Sequence, residues 1–284
     1  MLDKPTIDIT LDGAPRTIEA GTTGTLLLQD AAKKDGVVAM LVDGEPWDLD
    51  RQVPAGAVVE PITLSSEDGL NILRHSATHV MAQAVQEMFP GVDLGIGPFI
   101  TDGFYYDFGA IDAVTPEMLR EIEKRMKRIV KEGQRFVRRD ITEAEGREEL
   151  ADQPYKLELI TTKGAGAEGA SVEVGAGGLT MYDTVRRDGS VAWTDLCRGP
   201  HLPSTRLIGQ GFALTKSSSA YWKGDQSGDS LQRIYGTAWA SKDDLKAYQT
   251  RLAEAAKRDH RKLGAELDLY SFPEEIGPGL VVFH

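Results

Sequence analysis

Cysteine is almost missing from this chain of 284 residues. Cys197 is the only one, which excludes an internal disulfide framework and suits a reducing, cytoplasmic setting. No apolar run approaches the roughly 18 residues of a membrane span. The opening Met1-Leu2-Asp3-Lys4-Pro5 also lacks the basic and then apolar regions of a signal peptide, so no membrane partner is expected. Positive charge is in deficit: the net charge of −12 argues against a general nucleic-acid coat. The deficit is uneven. Residues 1–64 carry 5 Lys+Arg against 11 Asp+Glu, whereas 117–139 carry 9 against 4 and 242–262 carry 7 against 4. Basic stripes on an acidic chain can still bind RNA, although a solvated helix face explains either stripe taken alone. Histidine is scarce too, and with only five residues its spacing becomes informative.

The remaining composition, 41% hydrophobic and 27% charged, is that of a globular chain long enough for two or three cored domains. Residues 1–64 predict a β-grasp unit: alternation over Thr6–Leu11, a turn at Asp12-Gly13, a returning strand at Arg16–Glu19, one helix over about 25–34, and strands at Val37–Val42 and Val58–Leu64. Ser65-Ser66-Glu67-Asp68-Gly69 offers an N-cap ahead of a helix that stops at Pro90-Gly91. Leu94–Ile100 reads as a glycine-interrupted strand and Gly103–Phe108 as an aromatic one, its Tyr pair half core and half pocket wall. Thr115-Pro116-Glu117 starts a helix with Thr as N-cap and Pro at the first position. Phe136–Ile141 predicts a strand, Thr142–Ala151 a helix, and Tyr155–Ile160 an element with Lys156 near its start. Six glycines in 163–178 lack the strand-to-helix setting of a phosphate cradle and predict a surface loop. A hairpin around Asp188-Gly189 follows, then Phe212–Lys216 and Leu231–Trp239 completing a mixed sheet, and one helix from Ser241 to about Leu263. The chain ends within an apolar run, Leu280-Val281-Val282-Phe283, expected to be the threshold of another domain.

His75-Ser76-Ala77-Thr78-His79 lies within Leu70–Phe89, whose apolar residues recur at helical spacing, so both rings share one face. Asp195-Leu196-Cys197-Arg198-Gly199-Pro200-His201 adds the single cysteine and a third histidine. One histidine alone is better explained as a cap or a core hydrogen bond; two pairs together point to a site. Three readings remain open. His75, His79, Cys197 and His201 could ligate zinc, which prefers N and S donors and is the reading the spacing alone favours. They could instead line a metal-free hydrolytic pocket, with the imidazoles and Lys156 polarising a water and Asp195 orienting an amine or imidazole. Or they could be structural. Cys197 as a covalent nucleophile is weaker, since nothing resembles a nucleophile elbow.

These stretches, with Gly103-Phe104-Tyr105-Tyr106-Asp107, Ala220-Tyr221-Trp222-Lys223-Gly224-Asp225, Leu231 to Trp239 and Glu254 to Lys262, together resemble the bacterial threonyl-tRNA synthetase family over nearly the whole chain. The resemblance implies an α+β fold: a TGS β-grasp domain at 1–64, a larger mixed α+β editing domain at 65–240, a linker helix at 241–268, and the truncated start of a class II catalytic domain at 269–284. It implies proofreading hydrolysis of seryl-tRNA(Thr), with no aminoacylation by this portion. Serine lacks one methyl of threonine, a difference worth only about 1–3 kcal/mol in a binding pocket, so a second sieve is needed. The residues carried over are His75, His79, Lys156, Asp195, Cys197 and His201, with Tyr106 as a wall or ribose contact. In that reading His75 and Lys156 hold the attacking water, His79, Cys197 and His201 shape the pocket and contact serine or adenosine, and Asp195 reads serine's amino or hydroxyl group. Related alanyl editing domains place zinc on the same four positions, but Cys-Arg-Gly-Pro-His is the threonyl form, which implies no metal for editing; zinc, ATP and magnesium belong to the absent catalytic domain. The partner implied is the 3′ end of tRNA(Thr) carrying serine, with a monomeric fragment of a homodimeric enzyme. The glycine-rich 163–178 segment departs from the family's more polar one. The alternatives are a zinc-dependent editing hydrolase and a non-catalytic, TGS-containing tRNA-binding module.

Overall fold

The computed structural model describes residues 5–162, 178–258, 260–271, 277 and 280–284. Met1–Ser241 forms one compact unit and Lys242–His284 a second. All of the glycine-rich stretch except Gly178 lies outside the described residues.

In the first unit, β1 (Thr6–Leu11) and β2 (Ala14–Glu19) form a hairpin whose turn residues, Asp12 and Gly13, have φ of 49° and 77°. Positive φ at both central positions matches the twist of the flanking strands. The same solution recurs at Asp43 and Gly44 between β3 (Val37–Val42) and β4 (Glu45–Trp47). The helix expected over 25–34 is two pieces, α1 (Gly24–Leu27) and α2 (Gln29–Asp35), because Leu28 leaves helical geometry at ψ 13°. With β5 (Val58–Thr63) the sheet has the order β2-β1-β5-β3-β4, β1 running parallel to β5 and every other pair antiparallel, which is the β-grasp arrangement. Its core is Ile9, Leu28, Met40, Val42, Leu49 and Val59.

Next comes α3 (Glu67–Met88), capped by Ser66, whose Oγ accepts from the Gly69 amide at 3.1 Å. Every residue from Ile72 to Val85 is buried, so the polar face of this helix does not meet solvent. A helix buried all round is a central strut. It packs on α4 (Pro116–Glu132) and on β8 (Gly103–Gly109). The glycine-interrupted strand is regular only at its ends, β6 (Asp93–Leu94) and β7 (Phe99–Ile100), although Gly95, Ile96 and Pro98 between them still bond to the β8 backbone. After α4 come β9 (Arg135–Ile141), α5 (Glu143–Glu149), α6 (Pro154–Thr162), β10 (Leu179–Val185), β11 (Val191–Leu196), β12 (Phe212–Tyr221) and β13 (Ser230–Ala238). The expected mixed sheet is in fact two antiparallel sheets, β11-β10-β9 and β12-β13-β8-β6 with β7 on β8. β12 also runs five residues past Lys216, held by its pairing with β13 from Ser217 to Tyr221.

The second unit holds α7 (Lys242–Lys257), α8 (His260–Glu266) and a ribbon of β14 (Tyr270–Ser271) with β15 (Val282–Phe283). The single helix expected here divides after Lys257, where the Arg258 amide reaches only three residues back, to Ala255. Such tightening is a common way for a helix to end. Among the described residues no helix is long and apolar enough to cross a membrane.

A buried site of histidines, cysteine and lysine

All seven residues singled out in the sequence converge, and all are buried. α3 supplies His75 and His79, one turn apart, with ring centroids 5.5 Å from each other. Asp195 lies on β11, and Cys197 follows it with the same alternation. The chain then turns through Gly199 and a cis Gly199–Pro200 bond and returns His201 to its side. Cys197 Sγ stands 3.3 Å from Nε2 of both His75 and His201. A side chain at Gly199, whose φ is 73°, would overlap the Tyr182 hydroxyl, so the turn needs glycine. Lys156, in the first turn of α6, places Nζ 2.9 Å from Asp195 Oδ1, and Tyr106 on β8 donates its hydroxyl to Asp195 Oδ2 at 2.6 Å.

Burial dominates the electrostatics. It lowers His75 to about 4, helped by the positive charge of Lys156 and opposed by a hydrogen bond to the Pro200 carbonyl. His79 and His201 lie well below 6.5 for the same first reason, and their neighbouring rings add to it. All three imidazoles are therefore neutral at neutral pH. Burial raises the Asp195 carboxyl, against the pull of Lys156 and Tyr106. Nδ1 of His79 has no hydrogen-bond partner among the described residues, a rare condition for a buried nitrogen. Its Nε2 lies 4.0 Å from Asp195 Oδ2.

Three supporting residues were not legible in the sequence. Ser76 Oγ accepts from the Leu202 amide at 3.0 Å and lies 3.2 Å from His201 Nδ1, which leaves Nε2 facing Cys197. Phe136 stacks on His201 at 4.8 Å and 12°. Asp48, distant in sequence and placed just after β4, accepts from the His201 amide at 2.8 Å and from the Tyr182 hydroxyl at 2.6 Å. Only Ser76 carried a signal, by lying between the two histidines.

Chemically, neutral imidazoles and a buried ammonium can orient a water and steady negative charge as it develops. The same donors can also meet a metal. The ligand atoms of His75, His79, Cys197 and His201 lie within 4.8 Å of one another, and their types suit zinc.

The family described as the threonyl and alanyl tRNA synthetase second additional domain matches residues 178–235, a span that includes Asp195, Cys197 and His201. Over 98% of its length the chain is 70% identical to a threonine–tRNA ligase of Cutibacterium acnes. It is 59% identical over 100% of its length to that of Micrococcus luteus, and 57% over 99% to that of Thermobifida fusca. The chain spans 41%, 42% and 43% of these three relatives, respectively.

Proposed function

We propose, on the premise that this chain belongs with bacterial threonyl-tRNA synthetases and carries their second additional domain, that it hydrolyses seryl-tRNA(Thr). In this reading 1–64 is a TGS domain, 65–240 the editing domain and 241–268 the linker, and tRNA(Thr) is the partner. Charging of tRNA, with its ATP, magnesium and zinc, belongs to the part of the relatives that this chain does not span. The observation that carries the reading is a fully buried cluster of three imidazoles and a thiol beside one Lys156–Asp195 ion pair.

Water attacks the ester carbonyl carbon, the bond to the ribose oxygen breaks, and a proton passes from the water to that oxygen, releasing serine and a free 3′ end. His75 and Lys156 hold the water: the neutral ring accepts its proton, and the ammonium steadies the oxyanion. Asp195 reads serine's ammonium or hydroxyl, and the unpartnered His79 Nδ1 is free to meet a polar group of the substrate. Tyr106 holds Asp195 in place and walls the pocket. Threonine's extra methyl is excluded by contact with a wall that is already closely packed.

A second reading, a zinc-dependent hydrolase on His75, His79, Cys197 and His201, is favoured by the closeness of those donors. A bound zinc would lower the pKa of a water and polarise the ester. The Lys156 ammonium weighs against it, because it adds positive charge beside the place of a dication. Deacylation of seryl- and threonyl-tRNA(Thr), with and without a strong chelator, separates the readings. Selective loss of serine that ignores the chelator is the expected outcome. Loss of activity with the chelator moves the reaction to zinc, and survival of both esters leaves only a binding module.

A further inference from the structure

We infer that Asp48 is a positioning residue for the buried site: its carboxylate sets where the Gly199–Pro200–His201 segment stands. The kinetic test of this role rests on the hydrolytic reading above; the spectroscopic test does not.

Asp48 follows β4 and is fixed to the first sheet through its neighbours. Leu49 is a core residue there and its carbonyl accepts from the Thr25 amide at 2.7 Å, while the Arg51 carbonyl accepts from Gly24 at 3.1 Å. From that fixed base the two carboxylate oxygens divide their work. Oδ1 takes the backbone N–H of His201 at 2.8 Å and Oδ2 takes the hydroxyl of Tyr182 at 2.6 Å. Tyr182 stands edge-on to the His201 ring at 4.6 Å and against Gly199, so both bonds act on the same short segment. Burial raises the Asp48 carboxyl, and its hydrogen bonds from His201 and Tyr182, with the charges of Arg138 and Arg51, oppose that rise.

Packing holds the His201 ring, through Phe136 and Tyr182, while Asp48 holds its backbone. Clefts of about 280 Å³ and about 480 Å³ both have Asp48 in their walls, one bordered by Phe136 and His201 and the other by Arg198 and Pro200. The carboxylate thus stands between two openings, on the side of His201 away from the Ser76 contact. Further polar contacts reach the segment: Ser76 from α3, the His75 ring on the Pro200 carbonyl, and the Gly199 amide, which donates to Cys197 Sγ at 3.2 Å. A shift of the His201 backbone would carry Nε2 away from Cys197 Sγ, and misplacement of about 1 Å can cost on the order of a hundredfold in rate. The segment after β4 thereby acts on the chemistry of a pocket whose reactive side chains come from other elements.

The test uses the whole chain, with seryl-tRNA(Thr) hydrolysis as one readout and ¹H–¹⁵N correlations of the five imidazoles as the other. In Asp48→Ala, kcat is expected to fall about tenfold to a hundredfold with little change in KM. The His201 ring signals should move while those of His260 and His284 stay. Asp48→Asn keeps an acceptor for the His201 amide and should recover most of the rate. Asp8→Ala, an exposed change in the same sheet, should leave both readouts as they were. An unmoved His201 ring or a wild-type kcat in Asp48→Ala overturns the assignment. If the unsubstituted chain hydrolyses nothing, the functional reading falls and the ring signals still decide the role of Asp48. If the alanine variant does not fold, the His201 amide of the unsubstituted chain and of Asp48→Asn decides: slow exchange in both supports the clamp, and fast exchange in the unsubstituted chain overturns it.

Discussion

Three imidazoles share one pocket, and burial denies charge to each of them. That has a consequence for stability with a definite sign. In the unfolded chain His75 takes up a proton near pH 6.5, while in the fold it resists until about 4. The folded state therefore holds its full advantage above pH 6.5 and loses it as pH falls toward 4. For His75 alone the loss is about 3 kcal/mol, and His79 and His201 act in the same direction. Asp48 and Asp195, whose carboxyls burial raises, act with the opposite sign above pH 3.8. The urea midpoint should thus fall between about pH 7 and about pH 4.5, and a flat or rising midpoint would contradict neutral buried imidazoles. The ion pair makes a second prediction. Lys156→Met strands the Asp195 carboxyl in the interior, and removing one partner of a buried pair costs about 3–5 kcal/mol. Denaturant titration measures it, and a cost below about 1 kcal/mol would mean that Tyr106 alone suffices for Asp195.

Glycine decides geometry at two places in the elements that carry the site. A side chain at Gly97, between β6 and β7, would overlap the Tyr106 ring and press on Thr78 of α3. Gly97→Ala should displace Tyr106 from Asp195 and lower kcat; fluorescence and melting curves would show whether the fold survives, and a wild-type rate would break the link between Tyr106 and Asp195. Gly199→Ala faces both positive φ and the Tyr182 hydroxyl, and strain of that kind costs on the order of 1–3 kcal/mol before any clash is counted. At this scale some elements could be read directly from the chain. Thr115-Pro116 announced α4, and the i,i+4 histidines announced one face of α3, because capping and periodicity are local. The partition into two antiparallel sheets could not be read, since β8 pairs with β13 more than a hundred residues away. Nor could Asp48: an acidic residue after a short strand is ordinary, and its partners lie 134 and 153 positions further on. The α7–α8 division hid within a continuous amphipathic pattern.

At the scale of the molecule, every residue of the site lies in the unit that ends at Ser241. A chain ending there should keep the melting transition of that unit and its hydrolysis of seryl-tRNA(Thr); loss of both would show that Lys242–His284 supports the first unit. The solitary cysteine has a use that its scarcity creates. Cys197 is fully buried between two imidazoles, and the chain has no other thiol to compete with it. An alkylating reagent reaches Sγ only during the moments when the pocket breathes. Its rate, divided by that of an unhindered thiol, is the population of the open form. The protein therefore carries a built-in clock for admission to its own interior, readable by mass without any label being introduced, and a ligand that seals the pocket should slow that clock.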